Sequence, residues 1–102
     1  MSAREEITVV ARWQPAPGAM NDVLSILAEL GPKSRAEAGC LGYEVFQGQG
    51  DAGQLLLIER YRDAAALDAH KQSAHYQELV VKRAIPLLAN RKVELLRALD
   101  PA

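Results

Sequence analysis

The stretch LLLIERYR, residues 55–62, decides how this chain folds. Its run of four apolar residues is typical of a strand that is buried on both faces. Alternate side chains of a strand share a face, so Glu59 and Tyr61 lie in line with two of the leucines. A carboxylate in that position needs a partner, a proton or a wet cavity. Either this carboxylate pairs with Arg12 or Arg60 and only stabilises the sheet, or it lines a pocket with Tyr61.

The rest of the chain alternates between strand and helix patterns. Period-two alternation predicts further strands at residues 7–13, 41–47 and 91–99. Helical spacing of apolar residues predicts helices at 20–38, 64–70 and 74–88. Pro32 predicts a kink or a restart in the first helix, and Gly39 predicts its end. Asp63 and Ser73 are placed to cap the starts of the other two helices.

Two strand–helix–strand units in succession predict an α+β, ferredoxin-like βαββαβ fold with a four-stranded antiparallel sheet. We expect the first and third strands at its centre, because both of their faces are apolar, and the more polar last strand at an edge. Helices can cover only one face of such a sheet, and the uncovered face would expose more apolar surface than a monomer usually does. We therefore expect a homodimer, a dimeric α/β barrel in which the sheets of two copies pack face to face.

Composition and length exclude several classes of protein. The 102 residues allow one domain, which we place at residues 6–98, with tails at 1–5 and 99–102 that are too short and polar to cover the sheet. A net charge of −1 argues against a nucleic-acid partner. The single cysteine, Cys40, fits a reducing compartment. Since residues 1–6 are polar and no apolar run is long enough for a membrane span, we expect a cytoplasmic protein without a signal peptide or membrane partner.

Four short motifs together resemble one known superfamily. They are EAGCLGY at residues 37–43, IERY at 58–61, ALDAH at 66–70 and SAHY at 73–76. This pattern is similar to the antibiotic biosynthesis monooxygenase (ABM) superfamily, and within it to the small quinol monooxygenases, over about residues 6–98. The resemblance implies a dimeric α+β barrel. It also implies oxygenation of electron-rich aromatics, with O2 as co-substrate and without a metal or flavin cofactor.

The resemblance to this superfamily also extends to haem-degrading enzymes and signal-molecule isomerases. The residues of this sequence argue against the first of these two activities. The haem-degrading pattern has an asparagine, a tryptophan and a histidine at positions that align with Ala11, His70 and Val80. None of the three matches, so haem degradation is not expected. Tyr61 replaces the tryptophan that usually follows the strand glutamate by two residues, which would reshape the pocket.

The predicted catalytic residues are His70, His75 and Glu59. A histidine titrates at about pH 6.5, which suits proton transfer at neutral pH. A helix C-terminus favours protonated His70 and a helix N-terminus favours neutral His75, and only the neutral form can act as a base. The alternatives are that His70 only holds carbonyls at a helix end and that His75 is a surface residue near a cap. The three residues lack the i, i+4 spacing of helical zinc sites, so no metal site is predicted.

Four aromatic residues are predicted to flank the flat ring of a small aromatic substrate: Trp13, Tyr43, Phe46 and Tyr61. For Phe46 the alternative is a place in the plain core. The functional prediction is a cofactor-independent monooxygenase that oxidises a quinol-type or polycyclic phenolic aromatic with O2. Two alternatives stay open, a non-catalytic dimeric module that binds a small ligand and an isomerase of a small carbonyl metabolite.

Overall fold

A computed structural model describes residues 2, 3 and 5–100 of the chain, with side chains from 5 to 99. Its strands are β1 (Ser2–Ala3), β2 (Ile7–Pro15), β3 (Cys40–Gln47), β4 (Leu55–Tyr61), β5 (Leu88–Leu96) and β6 (Leu99–Asp100). Its helices are α1 (Met20–Arg35), α2 (Ala64–Gln72), a π-helix (Tyr76–Ala84) and a 3₁₀ turn (Ile85–Leu87). The segments that we expected to be tails contain a small antiparallel pairing of β1 with β6.

The main sheet has four antiparallel strands in the order β3–β4–β2–β5. The two strands predicted to be central, β2 and β4, are central, and β5 is an edge strand as predicted. The α+β ferredoxin-like fold is therefore confirmed. This order matters for function because it gives β2 and β4 neighbours on both sides, so their inward side chains are held rigidly beneath the helices.

The alternation predicted for residues 55–62 is confirmed in β4. Its inward side chains, including Glu59, are buried, while Leu56 and Ile58 on the other face are half-buried and Arg60 is exposed. Glu59 lies opposite Val9 on β2 and opposite Tyr43 on β3. We call the helix-covered side the inner face and the other side the outer face.

The first interpretation of Glu59, an ion pair with Arg12 or Arg60, is wrong. Both arginines point to the outer face, since they alternate with inward residues along their strands. Arg12 lies 3.7 Å from Glu94, and Arg60 lies 3.6 Å from Glu6. Groups other than these two arginines must therefore stabilise the Glu59 carboxylate on the inner face.

Helix α1 is shorter than predicted. It continues past Pro32 without a restart but ends at Arg35 rather than at residue 38. Pro32 lies in the last turn, where the helix is about to end, and the chain then leaves it through a hydrogen bond from the Glu37 N–H to the Ser34 carbonyl. As a consequence Glu37 lies on the turn between α1 and β3, where its side chain can contact a helix other than α1.

The chain after α2 also differs from the prediction of one helix over 74–88. Ser73 is a cap as predicted, because its Oγ accepts from the Tyr76 N–H at 3.2 Å. The same hydroxyl donates to the His70 carbonyl at 2.6 Å, which links the two helices. A π-helix and a 3₁₀ turn replace the expected α-helix, and β5 begins at Leu88 rather than at residue 91 and ends at Leu96 rather than at residue 99. Pro86 has no N–H to continue a helix, which explains the early strand.

Candidate active site

A cavity of about 280 Å³ lies between the inner face of the sheet and the helices. Its floor is formed by β2 and β4, and its open side is formed by Val93 and Leu95 on the edge strand β5. Glu59 lies opposite Val9, whereas Arg91 lies opposite Trp13, four positions further along β2. At the rise of a strand these two ends of the floor are separated by about 13 Å. The backbone positions of Glu59 and Arg91 therefore lie toward opposite ends of the cavity, while the positive charge of Arg91 still acts to lower the pKa of Glu59.

Glu59 is 6% exposed and has one close hydrogen-bond donor, the Tyr61 hydroxyl, whose oxygen lies 2.6 Å from Glu59 Oε1. Burial raises the pKa of Glu59, while the Tyr61 hydrogen bond and the nearby His70 act in the opposite direction. Burial and the adjacent Glu59 both raise the pKa of Tyr61, so its hydroxyl remains a donor. Tyr61 thus fixes the orientation of a carboxylate that burial makes easy to protonate.

His70 lies between two carboxylates. Its Nδ1 is 2.8 Å from Glu37 Oε2, and its Nε2 is 3.6 Å from Glu59 Oε1. The ring is 3% exposed and packs against Tyr61 and Tyr76, with ring centroids at 4.9 and 5.0 Å. Because an ionised carboxylate only accepts hydrogen bonds, Glu37 holds the proton of His70 on Nδ1. The unprotonated Nε2 is then the atom directed toward Glu59, and His70 lines the cavity.

Glu37 also contacts the second histidine. His75 Nε2 lies 2.5 Å from the same Oε2 atom of Glu37, and the two imidazole rings are 6.1 Å apart. Ser73 holds the chain between the histidines. The result is a continuous chain of polar contacts in the order His75, Glu37, His70, Glu59 and Tyr61, which we call the relay.

Gly39 explains how Glu37 comes close enough to α2. A Cβ atom at Gly39 would lie 2.3 Å from the Cβ of Ala66, a contact that real side chains do not make. The turn that carries Glu37 therefore packs directly on α2 only because residue 39 is a glycine and residue 66 is small. The backbone of the turn is also tied to β4, through the Arg62 N–H and the Gly39 carbonyl at 2.8 Å.

Two buried donors line the same cavity. Trp13 and Tyr43 are 2% and 3% exposed. Within the described part of the chain, neither Trp13 Nε1 nor the Tyr43 hydroxyl has a hydrogen-bond partner. A buried polar group without a partner costs about 1–3 kcal/mol, so a ligand that supplies acceptor atoms would recover this energy. Burial raises the pKa of Tyr43, so its hydroxyl stays protonated.

The mouth of the cavity is cationic. Arg91 and Lys71 are exposed and line it, and an Arg91 nitrogen lies 3.4 Å from the Tyr76 hydroxyl oxygen. Tyr76 and Val80 reach the cavity from the same side of the π-helix. π-Helices are rare and are frequently found at functional sites, which fits this position.

The predicted site residues fall into three groups by their position relative to the cavity. Glu59, His70, Trp13 and Tyr43 line it. Tyr61 lies behind Glu59, and His75 lies behind Glu37, which itself lies behind His70, so neither Tyr61 nor His75 lines the cavity. Phe46 does not reach the site at all, because it pairs with Leu56 on the outer face and is 45% exposed.

Sequence reasoning gave Glu37 no role, although it joins the two histidines of the relay. It is separated from His70 by 33 residues, so only the tertiary fold brings the two together. A helix extended to residue 38 would also have concealed it. The sequence signal that could have found Glu37 is Gly31-Pro32, because both residues are unfavourable inside a helix. They predict that the helix ends soon after Pro32, which would place Glu37 in the following turn.

The matches to known proteins identify the family. Residues 6–82 match the sequence profile described as antibiotic biosynthesis monooxygenase, ABM. The chain belongs to the ABM family. It is 40% identical to Rv0793 of Mycobacterium tuberculosis over 70 residues, which cover 69% of this chain and 68% of that protein. It is 33% identical to YcnE of Bacillus subtilis over 76 residues, which cover 74% of this chain and 80% of YcnE. Both relatives are provisionally named monooxygenases.

The solved structures agree with this family and with the fold. The Rv0793 structure superposes with a TM-score of 0.88 at 35% identity, covering 95% of this ABM chain and 98% of the other. PA3566 from Pseudomonas aeruginosa superposes with a TM-score of 0.87 at 33% identity, covering 97% and 99% of the two chains. Among the described residues, none of the helices is long and apolar enough to cross a membrane.

Proposed function

We propose that this ABM protein is a monooxygenase that oxidises a quinol-type or polycyclic phenolic aromatic with O2, without a metal or flavin cofactor. The observation that carries the proposal is the position of His70, whose Nδ1 lies beside Glu37 Oε2. Its Nδ1 proton is held by Glu37 at 2.8 Å, which leaves Nε2 free to accept a proton at the cavity. A neutral imidazole held in one tautomer by a carboxylate is the arrangement that a general base requires.

The first step of the proposed reaction is a proton transfer. A phenol titrates at about pH 10, so forming its anion at pH 7 costs about 4 kcal/mol. His70 Nε2 takes this proton, and the imidazolium that forms is stabilised by Glu37 at Nδ1 and by Glu59 at Nε2. Two carboxylates at one imidazolium, largely shielded from water, offset a large part of that cost.

The later steps need little from the protein. The substrate anion transfers one electron to O2, and the resulting superoxide combines with the substrate radical to form a carbon–oxygen bond. The peroxide then loses water, so that one oxygen atom stays as a new carbonyl and the other leaves as H2O. His70, protonated in the first step, is placed to return its proton to the departing oxygen. The apolar floor of the cavity supports this chemistry because it keeps bulk water from the reactive intermediates.

The buried donors support a substrate that carries acceptor oxygens. Trp13 Nε1 and the Tyr43 hydroxyl would bind a phenolate or quinone oxygen, and their buried positions would become fully hydrogen-bonded only with the substrate present. A volume of about 280 Å³ is near the lower end of the range for small-molecule sites, so we expect a compact substrate with few fused rings.

We propose in addition that the working form is a homodimer. The outer apolar face, formed by Val10, Phe46, Leu56, Ile58 and Leu96, supports this proposal. Phe46 and Leu96 are 45% and 49% exposed in the single chain. The same face carries both signs of charge, through the Arg12–Glu94 and Arg60–Glu6 pairs, as a self-complementary interface requires.

Oxygen uptake by chelator-treated protein tests the function, across a panel of hydroquinones and naphthols. We expect consumption of one O2 per substrate and incorporation of one oxygen atom into the product, which gives a quinone from a naphthol and a hydroxyquinone from a hydroquinone. Tight ligand binding without oxygen uptake would contradict the proposal and favour a binding module. Turnover of a carbonyl compound under anaerobic conditions would contradict it in favour of an isomerase.

A further inference from the structure

We propose that Glu37, His70 and His75 form a binding site for a divalent transition-metal ion such as Zn2+, and that the metal switches the base off. One donor atom of each residue lies within 4.8 Å of the other two. The set of two imidazole nitrogens and one carboxylate oxygen suits Zn2+, Co2+ and Ni2+ rather than Mg2+ or Ca2+. The inhibitory part rests on the proposed function, whereas the binding part does not.

The three donors come from three different elements, which gives them a fixed arrangement. Glu37 lies on the α1–β3 turn, His70 lies on α2, and His75 lies directly before the π-helix. Glu37 Oε2 is 2.8 Å from His70 Nδ1 and 2.5 Å from His75 Nε2. Zinc at about 2.0–2.1 Å from each donor in tetrahedral geometry needs donors about 3.3 Å apart. A shift of the Glu37 carboxylate by less than about 1 Å, within the reach of its side-chain rotation, would provide this spacing.

Access and burial also fit a metal site. The side chain of His70 is 4% exposed, while those of Glu37 and His75 are 17% and 19% exposed. A cation can therefore reach the cluster from the side of Glu37 and His75, with His70 as the buried ligand. The net charge of the site stays moderate, because one carboxylate balances half of the charge of the ion.

A second carboxylate gives independent support. A metal-bound histidine usually donates the N–H of its other ring nitrogen to a carboxylate or carbonyl. For His70 that partner would be Glu59, whose Oε1 lies 3.6 Å from Nε2. Tyr61 holds Glu59 in this position through its hydrogen bond of 2.6 Å. The cluster therefore contains the outer partner of a metal ligand as well as the ligands themselves.

Metal binding would change the tautomer of His70. Coordination through Nδ1 requires the lone pair of that nitrogen, so the proton moves from Nδ1 to Nε2, and the imidazole stays neutral. Nε2 then donates to Glu59 and cannot accept a proton from a phenol. The proton of His75 moves in the same way, from Nε2 to Nδ1. The metal would thus inhibit without entering the cavity or displacing the substrate.

Titration of the metal-free full-length protein with Co2+ tests the site, since four-coordinate Co2+ absorbs strongly in the visible range. We expect saturation at one ion per chain, competition by Zn2+ and no competition by Mg2+. We expect Glu37→Gln and His75→Ala each to weaken binding by about 100-fold, and Glu59→Gln by about 10-fold, as outer partners do. The matched controls Glu78→Gln, an exposed glutamate of the π-helix, and Cys40→Ser should bind as the parent protein does.

Two results would overturn the metal site. One is unchanged Co2+ binding in Glu37→Gln and His75→Ala, which would place the ion elsewhere. The other is no saturable binding by the folded parent protein. Both readouts are independent of turnover, so they stand even if no oxidation of any quinol is found. If the protein oxidises a quinol, Zn2+ should lower kcat without raising KM, and competitive inhibition would contradict the tautomer switch.

Discussion

The two faces of β4 differ in how far their side chains are buried within the single chain. On the inner face Leu55, Leu57 and Glu59 are buried by helices of the same chain, and Glu59 is joined to a relay of four other side chains. On the outer face Leu56 and Ile58 are only half-buried, beside Phe46 and Val10. One strand thus contributes to two different surfaces, because alternate side chains of a strand point to opposite faces of the sheet. The inner face holds the candidate chemistry, and the outer face holds the candidate assembly surface.

Damage to each face should therefore have separate consequences. A change in the relay should affect turnover while the assembly stays intact. A change in the outer apolar face should affect assembly first. Substitutions in the base, the outer face, the Gly39 turn and Glu59 test this separation, in order of decreasing effect.

The largest effect should result from removal of the base. We expect His70→Ala to lower kcat for quinol oxidation by about 1,000-fold, within the range measured for general bases. The substrate binds largely to the floor of the cavity, so KM should change little. Initial rates of O2 consumption at saturating substrate measure this. Added imidazole should restore part of the rate in His70→Ala, which separates loss of the base from misfolding.

His75 provides a second test of the base, because it is linked to the cavity only through Glu37 and His70. His75→Ala should lower kcat by about 10-fold, since removing an orienting partner costs less than removing the base. The exposed neighbour Gln72→Ala should have no effect. If neither histidine variant loses turnover, the assignment of the base is wrong.

The second effect concerns the outer face. We expect Ile58→Glu to weaken self-association by at least about 100-fold, because a charge would be buried at the centre of the interface without a partner. Analytical ultracentrifugation over a range of concentrations measures this. Leu24→Glu is the matched control, since Leu24 is 38% exposed on α1, away from the sheet. A parent protein that stays monomeric at micromolar concentration, with its full secondary structure, would contradict the homodimer.

The third effect links the turn to the relay. Gly39→Ala places a methyl group against the Cβ of Ala66, and we expect it to destabilise the protein by about 1–3 kcal/mol. It should also move Glu37 from the histidines and lower kcat. Ala66→Gly in the same chain should restore part of the stability, and urea unfolding of the four proteins of this cycle measures it. Gly50→Ala, at an open loop position, should be close to neutral.

The sequence was informative where one local rule dominates. Alternation in residues 55–62 correctly predicted the inward face of Glu59, and the Asp63 side chain caps α2 as expected, 2.8 Å from the Ala66 N–H. It failed where tertiary contacts decide. Phe46 follows the β3 alternation to the outer face, so its aromatic character was a misleading guide to the cavity.

The relay lay beyond local rules for the same reason. Glu37 meets His70 only because α1 ends at Arg35 and because a glycine allows its turn to approach α2. Neither the exact end of a helix nor a contact across 33 residues can be read from periodicity. The separation of His70 and His75 by a Ser73 cap was visible in the sequence, but their common partner was not.

The smallest effect should appear in the pH dependence of stability. Burial raises the pKa of Glu59 above its value in the unfolded chain, so the folded state binds this proton more tightly. The stability that this group contributes is therefore complete below its unfolded pKa and decreases as the pH rises through its folded pKa. Glu59→Gln keeps an oxygen for the Tyr61 hydroxyl but cannot ionise, so it should be more stable than the parent protein at alkaline pH. Urea unfolding between pH 4 and 9 measures the pH dependence of the free energy of unfolding for the parent protein and for Glu59→Gln. Identical slopes for the two proteins would show that Glu59 ionises equally easily in the folded and the unfolded chain, and would contradict the raised pKa.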